Sequence, residues 1–263
     1  MILSPTSTKI QSIYNPDVTY VTTDEPAESV GRIMQKYDLV AIPVVDSIGR
    51  LVGRITIDDV VDVIREEAEK DYQMMSGISQ DVESSDTIWD QTKARLPWLI
   101  IGLFGGMLAA YMISFYEADI ALFPATAMFI PVITAMGGNV GIQSSAIVVK
   151  GLASNTLTSK NILQSISKEI SCAVINACIC SSIIFILSLC FNLTSLAMPI
   201  TVTISLFIVI MFASMFGTAF PLLLNKLKID PALATGPFIT LTNDIIGLNI
   251  YLFTGKAILG WLL

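Results

Sequence analysis

The residues best placed to do chemistry lie in Thr240-Leu241-Thr242-Asn243-Asp244-Ile245-Ile246-Gly247, where Asp244 sits inside a largely apolar run from Pro237 to the last residue. A buried carboxylate without a partner costs several kcal/mol, so it is tolerated only where it faces a bundle interior or a watery cavity. Asp244 therefore marks a candidate ion path; the alternative is a hydrogen bond to one of the nearby Ser, Thr or Asn side chains. A second constellation is PVITAMGGNVGIQSSAIVVKGLA, in which Gly137, Gly138 and Gly141 surround Asn139 and Gln143, with Ser144 and Ser145 following. Helix packing alone accounts for the glycines. It accounts less well for so many polar groups in the middle of an apolar stretch, where each needs an internal partner. Gly138, Asn139, Gln143 and Thr240 are accordingly expected to line the path on which Asp244 stands. The third constellation is acidic: residues 58–71 hold seven carboxylates against Arg65 and Lys70. On a helix, Asp59, Asp62, Glu66 and Glu69 fall within about an 80° arc, a repulsive face that is either simply solvated or screened by hard divalent cations.

These groups need a scaffold, and composition says which kind. Of 263 residues, 53% are hydrophobic and 14% charged, with a mean hydropathy of +0.70, which marks a membrane protein. The charge is uneven: residues 1–96 carry 17 acids and 9 bases, residues 97–263 carry 5 acids and 6 bases. A soluble N-terminal part is thus acidic, unsuited to nucleic acid or an anionic lipid surface and suited to cations. Met1 opens a polar stretch without an apolar core, so no cleavable signal is expected and this part should stay in the cytoplasm. Cys172, Cys178, Cys180 and Cys190 share one apolar segment without paired CxxC units and read as small packing residues. Histidine is absent, which removes His-based catalysis and the commonest transition-metal ligand. No HExxH motif, paired intramembrane acids or Cys/His pair points to an enzyme.

Within the soluble part the pattern predicts a strand over 18–22, a helix over 26–37, strands over 41–45 and 51–57, and a helix from Asp58. Residues 72–96 read as a connecting helix interrupted at Gly77, ending in Trp89, Lys93, Arg95 and Trp98, an interfacial anchor. Five apolar runs follow, about 97–116, 121–149, 170–191, 199–225 and 236–262, each long enough to span a bilayer. Lys93 and Arg95, Lys150, Lys160 and Lys168, and Lys226 with Lys228 all fall in connectors on one side. The positive-inside rule then puts the N-terminus in the cytoplasm and the C-terminus outside, in a multi-pass protein of the cytoplasmic membrane. Lys256 is expected to snorkel at the outer end, and Glu169 to cap the third span or line its mouth.

The strings YDLVAIPVVDSIGRLVGRITIDDV resemble a cystathionine-β-synthase (CBS) domain over residues of about 8–65, and Gly53, Thr56 and Asp59 match the Gly-x-x-Thr-x-x-Asp string that closes an adenosine-nucleotide site in such modules. GGNVGIQS, KIDPALATGPF and TNDIIGLNIY resemble the MgtE family of magnesium channels. The resemblance implies a mixed fold: a small α/β CBS module (residues 1–71 with its acidic helix), a connecting plug-like helix (72–96) and an all-α transmembrane domain of five helices (97–263). It also implies a homodimer with Asp244 holding a hydrated Mg²⁺ in the pore, and cytosolic sensing acids at Asp38, Asp59, Asp62, Glu67 and Asp71. Family members carry an acidic domain and two CBS modules ahead of the plug, and this chain starts inside that array. The implied function is Mg²⁺ influx gated by cytosolic Mg²⁺, with Mg²⁺ as cargo and regulator, ATP or another adenosine nucleotide as a CBS ligand, membrane lipid as surroundings and no nucleic-acid partner. The competing readings are a non-conducting membrane sensor of cations or nucleotides, and a transporter of Mn²⁺ or Co²⁺.

Overall fold

The computed structural model describes residues 5, 7–9, 17–154, 156–157, 161–190, 196–234 and 236–262; Lys160 and the first residues of the CBS-like stretch lie outside them. The chain folds as two units, Met1–Lys70 and Asp71–Leu263.

The first unit is a three-stranded sheet with helices. Strand β1 (Val21–Thr22) leads into α1 (Ala27–Lys36), then β2 (Ala41–Val45), β3 (Leu51–Thr56) and the start of α2 (Ile57–Met75). Strand β2 is central, parallel to β1 and antiparallel to β3. The expected first strand is shorter than 18–22 because only Val21 and Thr22 find partners, in Val44 and Val45. Pro26 stands at the N-cap of α1, where its fixed φ and missing N–H do no harm. Val30 and Met34, four apart on α1, close over Val21, Ile42 and Val60 to form the core. The β2–β3 turn is held by Asp46, whose carboxylate accepts from the backbone N–H of Ile48 and Arg50 at 3.1 and 2.8 Å, while Gly49 supplies φ +78°.

The second unit is helical: α3 (Ile88–Ser114), the short α4 (Glu117–Leu122), α5 (Ala125–Ala153), α6 (Ile162–Leu189), α7 (Ala197–Lys226), a 3₁₀ turn (Pro231–Ala234) and α8 (Pro237–Leu262). Helices α3, α5, α6 and α7 are long and apolar enough to cross a membrane. Helix α8 is 26 residues long, its apolar run broken by Asn243, Asp244, Asn249 and Lys256. Helix α7 is central, packing against α5, α6 and α8, and its Val202, Leu206, Val209 and Ile210 form the core with Phe129, Ile133, Leu248 and Tyr251. The buried Tyr251 hydroxyl donates to the Thr126 carbonyl at 2.8 Å, tying α8 to α5.

The connecting helix expected over 72–96 is replaced by three pieces. Helix α2 runs on to Met75, Gly77 turns the chain out of the helix at φ +78°, and α3 starts at Ile88 after an N-cap by Thr87, whose hydroxyl accepts from the Asp90 N–H. The cysteines of α6 are free; Cys172, Cys178 and Cys190 are exposed rather than packed.

Candidate functional site

The site lies at the seam of α5 and α8, where glycine lets a polar stretch of one helix meet the backbone of the other. A Cβ on Gly138 would stand 3.1 Å from Thr240 Cγ2 and 3.3 Å from Asp244 Oδ1, and a Cβ on Gly141 would fall 1.9 Å from Asn243 Nδ2. The glycines are therefore the space into which Thr240, Asn243 and Asp244 fit, one turn of α5 per pair. Asp244 is half-buried and has no hydrogen-bond or ion-pair partner among the described residues. It opens onto a groove of about 450 Å³ walled by Met75 and Ser76 at the end of α2, by Gly102, Gly105 and Ala109 of α3, by Ile142 and by Gly236.

The groove is closely packed where the end of α2 meets the start of α8. Gly236 adopts φ +72°, and a Cβ there would meet the Met75 carbonyl oxygen at 2.0 Å; a Cβ on Gly77 would meet Pro237 Cγ at 2.6 Å. The segment after α2 thus seats on the first turn of α8, beside the groove. Thr240 lines this groove, with its hydroxyl donating to the Gly236 carbonyl at 3.0 Å. Asn139 and Gln143 are not among the walls of this groove: both are exposed on the outer face of α5, the face of Val132 and Ile147. Periodicity in an almost uniformly apolar helix cannot say which face turns inward, and the small residues Gly137, Gly138 and Gly141 take the inner one.

Two polar groups have surroundings that the sequence pattern did not reveal. Asn243 is 1% exposed and neither of its amide heteroatoms finds a hydrogen-bond partner among the described residues, although its place beside Asp244 was a signal. Glu169 does not cap α6, since Asn161 occupies the N-cap and Glu169 lies two turns inside. Its Oε1 accepts from Ser144 Oγ at 2.6 Å and Ser214 Oγ at 2.8 Å. At the other end of α8, Lys256 ion-pairs with Asp119 at 3.1 Å, both side chains partly exposed. Such a pair contributes little.

Of the acids expected to sense cations, Asp38, Asp59, Asp62 and Glu67 lie on exposed surface. Asp38 takes φ +52° in the turn that ends α1, a position Asp tolerates better than most residues. Asp62 and Glu67 are exposed along α2, Arg65 pairs with Glu69 at 2.8 Å, and Asp71 is half-buried. Asp59 reaches back to the start of its own helix: its Oδ2 accepts from the Thr56 hydroxyl at 2.6 Å and the Thr56 N–H at 2.9 Å. The Thr56 hydroxyl, then its backbone N–H, holds the carboxyl of Asp59 below the usual carboxylate range. Gly53 is open to solvent on β3, so Gly53, Thr56 and Asp59 run along one strand-to-helix corner. Among the described residues no three His, Cys, Asp or Glu side chains stand close enough to share a metal ion.

A bundle of long apolar helices with a carboxylate unpaired among the described residues, joined to a small α/β module, defines a polytopic membrane protein with a separate α/β domain. Residues 130–254 match the divalent cation transporter family MgtE, and residues 10–66 match the CBS domain. The chain thus carries an MgtE-family transporter domain behind a CBS module. It is similar to proteins named magnesium transporter MgtE from Bacillus subtilis (36% identical over 251 residues, 95% of this chain and 55% of the relative) and Thermus thermophilus (32% over 265 residues, 98% and 58%). A relative of the same name from Enterococcus faecalis is 34% identical over 251 residues, 95% of this chain and 55% of its own length. The chain spans a little over half the length of these relatives.

Proposed function

We propose that this chain mediates Mg²⁺ influx across the cytoplasmic membrane, with Asp244 as the pore ligand. The observation that carries the reading is the unpaired Asp244 carboxylate, held against Gly138 and open to a groove. The relatives' names support Mg²⁺ as cargo. Mg²⁺ keeps its waters and octahedral geometry, so a carboxylate that takes a hydrated ion by outer-shell contacts suits it better than a closed cage. The membrane potential drives each charge inward by about 2.3 kcal/mol per 100 mV.

The chain works as a homodimer in this proposal. Exposed amides at Asn139 and Gln143 suit lipid poorly, and a two-fold axis alongside α5 would turn them toward the partner's pore wall. Residues 97–263 form the spanning part, with α8 as the fifth span, the N-terminus cytoplasmic and the C-terminus outside. Gating runs through residues 1–71: Mg²⁺ bound around Asp38, Asp59, Asp62, Glu67 and Asp71 screens acidic faces that otherwise repel. The exposure of Asp38, Asp59, Asp62 and Glu67 supports binding between surfaces. An adenosine nucleotide at Gly53, Thr56 and Asp59 would have to compete with the Thr56–Asp59 hydrogen bonds.

The test is Mg²⁺ flux into vesicles holding the full chain or Asp244→Ala, with Mn²⁺ and Co²⁺ in parallel. Losing a charged ligand of the ion, worth about 3 kcal/mol, cuts flux roughly a hundredfold while the helical signal is unchanged. Undiminished flux in the variant overturns the assignment; a wild-type chain that passes no divalent ion favours a sensor.

A further inference from the structure

We propose that Glu169 is a positioning residue for the pore: it locks α5 against α6 and α7 and so sets the wall that Gly138 and Gly141 present to α8. The inference rests on the pore reading above. One carboxylate oxygen accepts hydroxyls from two other helices, Ser144 of α5 and Ser214 of α7, and those hydroxyl oxygens are 3.2 Å apart. Ser144 and Ser214 are 3% and 1% exposed. Hydrogen bonds to a charged acceptor are roughly twice as strong as neutral ones, and away from water such a cluster is costly to leave half-made.

The cluster sits next to the tightest approach of α5 and α7. Three residues before Ser144 on α5 and three after Ser214 on α7 come Gly141 and Gly217, and a Cβ on Gly217 would meet the Gly141 carbonyl oxygen at 2.4 Å. Gly141 also faces Asn243, and Gly138 faces Asp244. The chain of contact from Glu169 to Asp244 therefore passes through one rigid helix, α5. Glu169 is poorly suited to hold Mg²⁺ itself. The cavity beside it, about 100 Å³, is walled by Ile166, Ile170, Met215 and Ala219, with Ser214 and Thr218 as its other polar groups. Thr218 already donates to the Ser214 carbonyl at 2.9 Å, and Mg²⁺ demands six oxygen ligands.

The experiment measures Mg²⁺ flux against Mg²⁺ concentration, and thermal unfolding, for the full chain with Glu169→Leu, Glu169→Gln and Ser214→Ala, with Asp244→Ala in the same vesicles. Glu169→Leu is expected to lower maximal flux about tenfold, the scale of one hydrogen bond to a charged group, and to raise the half-saturating concentration. Glu169→Gln keeps an oxygen that can accept both hydroxyls and restores most of the flux; Ser214→Ala, with one of the two bonds left, falls between. Should Glu169→Leu fail to fold, the ranking of Glu169→Gln above Ser214→Ala in flux per folded protein decides. Wild-type half-saturation in Glu169→Leu, flux lost only in step with folded protein, or a Gln variant as inactive as Leu overturns the inference. Normal flux in Asp244→Ala instead overturns the pore reading and leaves the Glu169 ranking to be read separately.

Discussion

The acids of α2 and the acid of α8 belong to one chain and live by opposite rules. On α2, Asp62, Glu66, Glu67 and Glu69 stand in solvent, where water screens their repulsion and Arg65 relieves a part of it. On α8, Asp244 is half-buried and, among the described residues, unpaired. The same functional group is cheap in number on one surface and costly singly in the other. Under the proposed function the difference decides where specificity would sit: many exposed charges would respond to the cation concentration as a whole, whereas one enclosed charge would act on a single ion whose waters it must meet in a fixed geometry.

That contrast can be broken most severely, short of removing Asp244, by filling the space that holds the α8 side chains. Gly141→Ala places a methyl 1.9 Å from Asn243 Nδ2 and 2.8 Å from Ile239 Cγ2. Overpacking of this kind costs about 1–3 kcal/mol, and because Asn243 precedes Asp244 we expect flux to fall by about tenfold or more. Gly53→Ala on exposed β3, where nothing lies within 4 Å, should leave flux unchanged. Vesicle flux normalised to folded protein checks the pair; equal effects would mean that the α5–α8 seam is ordinary packing.

Legibility in the sequence followed the same divide. The helix over 26–37 and the strands over 41–45 and 51–57 are local signals of the sequence, and each appears as an element. Asp244 was conspicuous because one acid in an apolar run has few explanations. The facing of α5 was not legible: apolar residues surround the helix, so Asn139 and Gln143 looked as inward as Gly138. That Glu169 ties three helices together was not legible for a related reason, since its partners Ser144 and Ser214 lie 25 and 45 residues away in sequence and no local pattern links them. The break at Gly77 was visible as a glycine, but not that its backbone would turn left-handed against Pro237.

The acidic side of the contrast is tested by Asp59→Ala/Asp62→Ala. If exposed acids act collectively, the loss of two shifts the internal Mg²⁺ concentration that closes the protein upward by a few-fold, without changing flux at low internal Mg²⁺. Flux measured at stepped internal Mg²⁺ reads the shift; an unmoved closing concentration places the sensor elsewhere.

The smallest effect concerns one hydrogen bond. The Asp59 carboxylate is fully exposed, yet the Thr56 hydroxyl and N–H favour its charged form. Its folded value lies below its unfolded one, so the support it gives the start of α2 is present above the ordinary carboxylate range and lost as pH falls through the lowered folded value. Thr56→Val keeps the shape and the backbone donor and removes the hydroxyl, the larger cause of the shift. The Asp59 titration should then move up toward the ordinary range without reaching it, because the N–H still donates. Carboxyl ¹³C titration of the labelled full chain follows this directly, and an Asp59 curve indifferent to the substitution would show that the carboxylate is not held by Thr56. An indifferent curve would also free Asp59 for the acidic face, which would then gain an acid unbound to its own helix and respond more steeply to cations.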